Sequence, residues 1–226
     1  MARSVKPLLT KKQKQKRLEW ANTYKDFSID DWKCVLFKDE SMIRLFSNNH
    51  NKRVWGKSNL CKSKYSLNSV KCPTSLMVWG CMSYHNVGKL VCISGTMNSL
   101  KYIDLLEEYL DTSLELCNIE RRRLLFQQDN APCHTAKRSK EFFKENGINL
   151  MSWPPNSPDL NPIENLWYIL KERVAKKNPK NAVQLESSIK EEWEKLSHSD
   201  ICKKLILSME KRVKEVLLKK GANIDY

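Results

Sequence analysis

The feature that most constrains the fold is a stretch in the second half of the chain where apolar runs alternate with helical patterns. Residues 124–128 predict a strand, residues 135–146 predict a helix closed by Gly147, and residues 148–153 predict another strand. A loop punctuated by prolines then leads into a further helix at Asn161. Units of this β-α-β type place strands side by side in a sheet that carries helices on its faces.

The first half of the chain supplies the other strands. Runs at 32–37 and 42–46 predict two strands joined as a hairpin, and continuous apolar runs at 75–83 and 88–95 predict two buried strands. From Ser99 the apolar residues recur at helical spacing. The order predicts an α/β protein with a mixed sheet and flanking helices. It is compatible with a ribonuclease H-like fold, although the order of elements alone does not identify that fold.

Three regions follow from these patterns. Residues 1–30 predict a basic linker and a short helix, Leu18 to Tyr24, that lead into a core over residues 31–180. Within that core, residues 47–74 carry few large apolar side chains and predict a long basic connection, which is a functional or disordered element in most proteins. Amphipathic patterns over residues 181–226 predict helices that pack on the core.

The chain is strongly basic, with a formal net charge of +14 and a pI near 9.4. Such an excess favours a polyanionic partner, because Lys and Arg release condensed counterions from nucleic acid when they bind it. Two basic segments are candidates for DNA contact, and for the first a solvated helix end and nuclear import remain alternatives. Their residues are Lys11, Lys12, Lys14, Lys16 and Arg17 in the first segment, and Arg53, Lys57, Lys62 and Lys64 in the second.

Cysteine spacing and hydropathy exclude two other classes of protein. None of the eight cysteines forms a C-x-x-C pair, so no zinc framework is indicated, and we expect reduced, buried thiols. No segment approaches the roughly 18 apolar residues of a membrane span. No signal peptide is visible, so we expect an intracellular protein.

Three acids stand where metal chemistry is expected. Asp39 and Asp129 each follow an apolar run, and Glu164 occupies the first turn of a helix. Carboxylates at strand and helix ends can hold two divalent cations about 3.5–4 Å apart, which serve the attacking and leaving oxygens of phosphodiester cleavage. Mg²⁺ prefers such oxygen ligands.

Each acid also has a purely structural interpretation. Glu164 stands at a capping-box position, Asp129 suits a turn after a strand, and Asp39 suits an exposed hairpin turn. Asn130 and His134 are candidates for DNA contact, and His134 is also a candidate metal ligand or a structural histidine at a helix start. The spacing of the acids does not decide between these interpretations.

A resemblance favours the catalytic interpretation. The segments QQDNAPCHTA at 127–136 and WPPNSPDLNPIENLW at 153–167 resemble the two strongest signatures of the Tc/mariner transposases. KDES at 38–41, MVWGCMS at 77–83 and SMEKRVKEVLLKKGANIDY at 208–226 extend the likeness over nearly the whole chain. With 34 residues between Asp129 and Glu164, and Glu as the last acid, the chain is similar to the Tc branch, since mariner proteins have Asp there.

The resemblance implies that Asp39, Asp129 and Glu164 form a metal-binding DDE triad on a ribonuclease H-like fold. The implied activity is cut-and-paste DNA transposition with Mg²⁺ or Mn²⁺, two ions per active site. A freed 3′-hydroxyl attacks target DNA at a TA step without a covalent protein intermediate. The implied partners are transposon ends, target DNA and a second copy of the chain, with no membrane, and the implied location is the nucleus.

Two departures from the family keep alternatives open. The chain begins in a basic linker and has no room for the helix-turn-helix modules that family members carry before the catalytic domain. The wording of residues 53–57, RVWGK, also differs from that of the family loop that pairs two subunits. The alternatives are a catalytically silent or host-adopted remnant that binds DNA or dimerises, and a ribonuclease H-like nuclease.

Overall fold

The computed structural model of the chain describes residues 8–45 and 74–225. A five-stranded sheet forms its centre, with the strand order β3-β2-β1-β4-β5. Neighbouring strands β1, β2 and β3 are antiparallel, whereas β4 pairs in parallel with both β1 and β5. The strands are β1 (Val35–Arg44), β2 (Ser75–Met82), β3 (Val87–Ile93), β4 (Leu125–Gln127) and β5 (Asn149–Leu150). The mixed sheet predicted from the sequence is therefore confirmed.

The first strand differs from the prediction. Residues 35–44 form one continuous strand that pairs with β2 from Phe37 to Arg44, so the hairpin predicted between 32–37 and 42–46 is wrong. Asp39 therefore lies within the strand, opposite Gly80, and not in a turn. The three charged residues at 38–40 suggest a turn in the sequence, but β2 continues to pair with them.

Helices cover both faces of this sheet. Within the described residues they are α1 (Lys11–Tyr24), α2 (Ile29–Lys33), α3 (Ser99–Leu116), α4 (Pro132–Thr135), α5 (Lys137–Glu145), α6 (Pro162–Lys177), α7 (Ala182–Ser197), α8 (Ile201–Leu207) and α9 (Met209–Leu218). In the part of the chain that the structure describes, no helix is long and apolar enough to cross a membrane.

Several boundaries differ from the sequence-based expectation. The helix at the start begins at Lys11, where Thr10 caps it, and not at Leu18. The helix predicted over 135–146 is two helices, because Ala136 adopts an extended ψ of 149° between α4 and α5. The strand predicted over 148–153 pairs only at Asn149 and Leu150. Gly147 closes α5 with a positive φ of 62°, as predicted.

Two hydrophobic cores lie on opposite faces of the sheet. One contains Leu36, Trp79 and Phe126 under α3 and α5, and the other contains Val35 and Phe37 under α1 and α6 to α9. Alternation along β1 therefore sends Val35 and Phe37 to the α6 face and Leu36 to the α3 face. Both faces of the sheet are covered, which keeps the central strands β1 and β4 rigid.

Candidate active site

Three acids predicted from the sequence line one cavity. Asp39 lies on β1, Asp129 follows β4 by two residues, and Glu164 lies in the first turn of α6. Because β1 and β4 are parallel neighbours, with Phe37 opposite Gln127, Asp39 and Asp129 lie at the same level, each two residues beyond this pair. The cavity has a volume of about 420 Å³.

The cavity wall comes from the proline-rich loop that precedes α6. Its other lining residues are Asn130, Ala131, Trp153, Pro154, Pro155, Asn156, Ser157, Pro158 and Asn161. Asn130 fastens the loop to the end of β4, since its side-chain amide donates to the Trp153 carbonyl at 3.0 Å. The loop is stiff because its prolines restrict φ.

The start of α6 fixes the position of Glu164. The Asn161 side chain accepts a hydrogen bond from the Ile163 N–H, and Pro162 suits the first helical position, as the sequence predicts. In a capping box the Glu164 carboxylate would accept from the Asn161 N–H, but that N–H donates to the Pro158 carbonyl at 3.0 Å. Glu164 is therefore directed to the cavity and does not cap the helix.

Asp39 and Glu164 form an acidic pair. Burial first, and then the charges of Glu164 and Glu40, raise the pKa of Asp39 to about 7. Burial also raises the pKa of Glu164, whose side chain interacts with that of Asp39. Asp39 is therefore only partly ionised at neutral pH, and a bound cation would favour its ionised form.

Asp129 has the opposite environment. Its Oδ1 accepts a hydrogen bond from His134 Nδ1 at 2.6 Å and another from the Ala131 N–H at 3.0 Å. Burial would raise the pKa of Asp129, but these hydrogen bonds outweigh it and hold the pKa at about 2. Asp129 is thus ionised at neutral pH. The bond to Ala131 N–H is the turn expected after the strand, and it coexists with the position of Asp129 in the cavity.

The donor set suits a hard divalent cation. All three side chains offer carboxylate oxygens, and a cation would offset both the burial and the neighbouring acids that raise the pKa of Asp39. Within residues 8–45 and 74–225, however, no group of three or more His, Cys, Asp or Glu side chains is gathered closely enough to be a preformed metal cluster. The structure brings Asp39 and Glu164 together, while Asp129 lines the same cavity bonded to His134.

Sequence reasoning missed Lys38 and Glu40. Lys38 is almost completely buried, with 1% of its side chain exposed, and its Nζ lies 3.1 Å from Glu40 Oε1 and 2.8 Å from His134 Nε2. The signal available in the sequence was a pair of charges at alternate positions of an apolar strand, on the face opposite Asp39. Their burial is seen only in the tertiary structure, where His134 of α4 packs against Lys38 and Glu40.

The structure separates the candidate DNA-contact residues. The four lysines of α1 are exposed, and so is Asn130. Two of the predicted DNA contacts are wrong. Arg17 is fully buried and pairs with both oxygens of Asp159 at 2.7 Å. His134 is buried against Lys38 and Asp129, so neither side chain is presented to DNA. Arg53, Lys57, Lys62 and Lys64, with the 47–74 connection up to residue 73, lie outside the described residues.

The chain matches known proteins over most of its length. Residues 34–186 match the model of the family described as DDE superfamily endonuclease. The chain is 33% identical over 227 residues to the transposable element Tcb1 transposase of Caenorhabditis briggsae, covering 98% of this chain and 81% of that protein. It is 32% identical over 229 residues to the Tc1 transposase of Caenorhabditis elegans, with the same coverage of both chains.

Solved structures agree on the fold. The Mos1 transposase paired-end complex with left transposon end superposes with a TM-score of 0.84 at 18% identity, covering 100% of this chain and 67% of that one. The catalytic domain of Mos1 mariner transposase gives a TM-score of 0.75, covering 98% of this chain and 100% of that one. The ribonuclease H-like fold is thereby confirmed. The chain therefore belongs to the DDE superfamily endonucleases and contains the catalytic domain of a transposase of the Tc1/mariner type.

Proposed function

We propose that this chain cuts DNA at transposon ends and joins the freed 3′-hydroxyl to target DNA at TA steps, with two divalent cations in each active site. The observation that carries the proposal is the single cavity that Asp39, Asp129 and Glu164 all line. Solved Mos1 complexes contain Mn or Mg, which supports a divalent cation here. When bound, such cations supply charge neutralisation at the phosphoryl group and activation of the attacking oxygen.

The acids have distinct tasks in this proposal. Asp129, ionised through its bonds to His134 and Ala131, offers a permanent negative charge on the β4 side of the cavity. Asp39 on β1 and Glu164 on α6, whose pKa values burial raises, would hold a cation with their ionised carboxylates. Because these elements are packed in the core, the acids keep their spacing when DNA enters.

The cavity favours direct attack over a covalent protein intermediate. Ser157 is the hydroxyl-bearing residue among the lining side chains, and its Oγ accepts from Arg17 at 2.8 Å and donates to the Pro155 carbonyl at 3.1 Å. A hydroxyl held in this way has no general base to activate it. The attacking groups are thus water for cleavage and the DNA 3′-hydroxyl for joining. Joining two ends requires two active sites, so the proposed active form is a homodimer.

Nicking of supercoiled plasmid DNA with Mn²⁺ or Mg²⁺ tests the proposal. We expect Asp129→Asn and Glu164→Gln to lower nicking by more than ~100-fold. Loss of a metal ligand should exceed the roughly 10–100-fold effect of losing a residue that only hydrogen-bonds to a ligand. Glu172→Gln, an exposed residue on the same helix, makes the same change of charge and should nick like the unaltered chain.

The alternatives predict other outcomes. Nicking that persists in both triad variants would overturn the proposal. Salt-sensitive DNA binding by a folded chain that cleaves nothing would favour the catalytically silent remnant. Preferential cleavage of RNA–DNA hybrids over duplex DNA would favour a ribonuclease H-like nuclease.

A further inference from the structure

A buried polar cluster lies on the face of the sheet opposite Asp39. It consists of Lys38 and Glu40 from β1, Tyr102 from α3 and His134 from α4, and we call it the Lys38 cluster. Lys38, Tyr102 and His134 are each no more than 1% exposed. Burying an ammonium group is costly unless partners compensate for the lost water, and hydrophobic residues of similar volume would fill the same space. Neither the fold nor the proposed chemistry of the three acids accounts for this cluster.

His134 connects the Lys38 cluster to Asp129. Lys38 Nζ lies 2.8 Å from His134 Nε2, and His134 Nδ1 lies 2.6 Å from Asp129 Oδ1. Glu40 Oε1 lies 3.1 Å from Lys38 Nζ, where it neutralises the ammonium, and the Tyr102 ring lies 4.7 Å from the same nitrogen. Lys38 Nζ also lies 3.4 Å from His134 Nδ1, so the ammonium faces both ring nitrogens, whereas Asp129 is bonded to Nδ1 alone.

The chemistry of Asp129 decides which ring nitrogen of His134 carries a proton. An ionised carboxylate can only accept, so the 2.6 Å contact with Asp129 Oδ1 places a proton on Nδ1. On the other side of the ring, Lys38 Nζ lies 2.8 Å from Nε2 and Glu40 Oε1 lies 3.4 Å from it.

The ring itself is held on its other sides. Tyr102 packs against it with ring centroids 4.4 Å apart, and the Tyr102 hydroxyl donates to Gln128 Oε1 at 2.6 Å. Gln128 Nε2 in turn donates to the His134 carbonyl at 3.4 Å. This loop of contacts leaves His134 a single orientation.

The consequence for Asp129 is an asymmetric carboxylate. Oδ1 accepts from both His134 Nδ1 and the Ala131 N–H, whereas Oδ2 has no hydrogen-bond partner among the described residues. Two donors on one oxygen fix the rotation of the carboxylate. The other oxygen remains for a cation in the cavity that Asp129 lines.

We propose that His134 is a positioning residue for Asp129: its Nδ1–H anchors Oδ1 and leaves Oδ2 for the cation, and the Lys38 cluster holds the ring in the orientation that makes this bond. The inference deepens the proposed function and rests on it, since it assigns a role toward the cation that the three acids hold. Outer partners of this kind orient ligands in metal sites.

Two substitutions separate the two sides of the ring. The side-chain amide nitrogen of Asn occupies nearly the position of Nδ1, so His134→Asn keeps a donor to Asp129 and loses the contact with Lys38. The Gln amide reaches the position of Nε2, so His134→Gln keeps a polar contact with Lys38 and loses the donor. Both variants remove the imidazole and differ only in which side they retain.

The experiment is calorimetric titration of Mn²⁺ into the full chain without DNA, beside plasmid nicking. We expect His134→Gln to weaken Mn²⁺ binding by about 10–100-fold, and His134→Asn to restore it to within roughly threefold of the unaltered chain. His85→Gln, at another histidine outside the cavity lining, serves as the matched control. Equal weakening in the Asn and Gln variants, with both folded, would overturn the inference.

A second measurement does not depend on how the variants fold. The ¹⁵N spectrum of the histidine rings in the unaltered chain should show His134 protonated at Nδ1, and a proton on Nε2 alone would overturn the inference. Failure of the proposed function would look different from failure of the inference. If the unaltered chain binds no Mn²⁺, the metal site is absent and both are wrong. If the unaltered chain binds Mn²⁺ but the Asn and Gln variants are weakened equally, only the inference is wrong.

Discussion

Asp39 and Asp129 occupy one cavity in opposite states of protonation. Burial and the neighbouring acids raise the pKa of Asp39 to about 7, and hydrogen bonds from His134 and Ala131 hold that of Asp129 at about 2. Between these values the folded chain keeps a proton on Asp39 and none on Asp129. The difference comes from partners, since the two side chains are chemically identical.

Replacement of Asp39 should stabilise the metal-free chain at high pH. The folded pKa of Asp39 lies above its ordinary value of 3.8, so the stability from its bound proton is complete below that value and is lost as pH rises to about 7. At pH 8 we expect Asp39→Asn to raise the free energy of unfolding by up to ~4 kcal/mol, and near pH 4 by little. Urea unfolding in EDTA at both pH values measures this, with Asp26→Asn as an exposed control. A variant less stable than the unaltered chain at pH 8 would contradict the prediction.

Arg17 should be essential for stability although it does not face DNA. Its two terminal nitrogens, Nη1 and Nη2, donate to the Asp159 carboxylate, and its Nε donates to the Gly221 carbonyl at 2.9 Å. Arg17→Met leaves Asp159 with an uncompensated charge, and we expect a loss of about 3–5 kcal/mol in urea unfolding. Lys33→Met breaks the exposed pair with Asp30 and should change the free energy of unfolding little. Similar losses in both variants would show that burial of the Arg17 pair contributes nothing.

At the scale of elements, β2 sets how closely α6 approaches the sheet. Gly80 lies opposite Asp39, and the stacked rings of Trp167 and Trp193, with centroids 5.2 Å apart, cover it. Trp167 belongs to the same helix as Glu164. The approach of α6 to β1, and with it the pairing of Glu164 with Asp39, therefore depends on a residue without a side chain.

Gly80→Ala tests this contact. A Cβ at position 80 would lie 2.8 Å from Trp167 and 3.0 Å from Trp193, so the rings must move. We expect a loss of about 1–3 kcal/mol in the free energy of unfolding, together with weaker Mn²⁺ binding as α6 shifts. Gly147→Asn is the control, because no atom lies within 4 Å of a Cβ there and Asn tolerates positive φ. Unchanged stability and Mn²⁺ affinity in Gly80→Ala would show that the helix position does not depend on this packing.

At the scale of the molecule, the cavity joins elements that are distant in sequence. Asp39, Asp129 and Glu164 come from β1, the end of β4 and α6. Arg17 of α1 and Arg212 of α9 both bond to Asp159 in the loop before α6, so the first and last described helices brace the cavity wall. A cation that binds these acids should stabilise the whole domain.

Divalent cations should therefore raise the melting temperature. At a concentration 100 times the dissociation constant, binding to the folded chain adds about 2.7 kcal/mol, which corresponds to roughly 5–10 °C for a domain of this size. Thermal unfolding with Mn²⁺ against EDTA measures the shift, which Asp129→Asn and Glu164→Gln should abolish. Glu172→Gln should retain it. An equal shift in all four proteins would place the stabilising cation elsewhere.

The sequence by itself determined the mixed sheet, the start of α6 at Asn161 and the three candidate acids, because local patterns and the two long motifs carry that information. It did not determine the continuity of β1. Asp39 and Glu40 predicted an exposed hairpin turn, and the partner that holds neighbouring Lys38 inside the fold, His134, lies 96 residues away. Arg17 was misread as a DNA contact for the same reason, because Asp159 is 142 residues away.

Only the tertiary structure decided the ionisation and orientation of the acids. Whether an aspartate keeps a proton depends on the charges and donors within a few ångströms, and these come from helices and strands that are far apart in the chain. Local sequence can name Asp39 and Asp129 as acids of one site. Their opposite pKa values arise only when burial and the neighbouring Glu164 act on Asp39, and when His134 is held against Asp129.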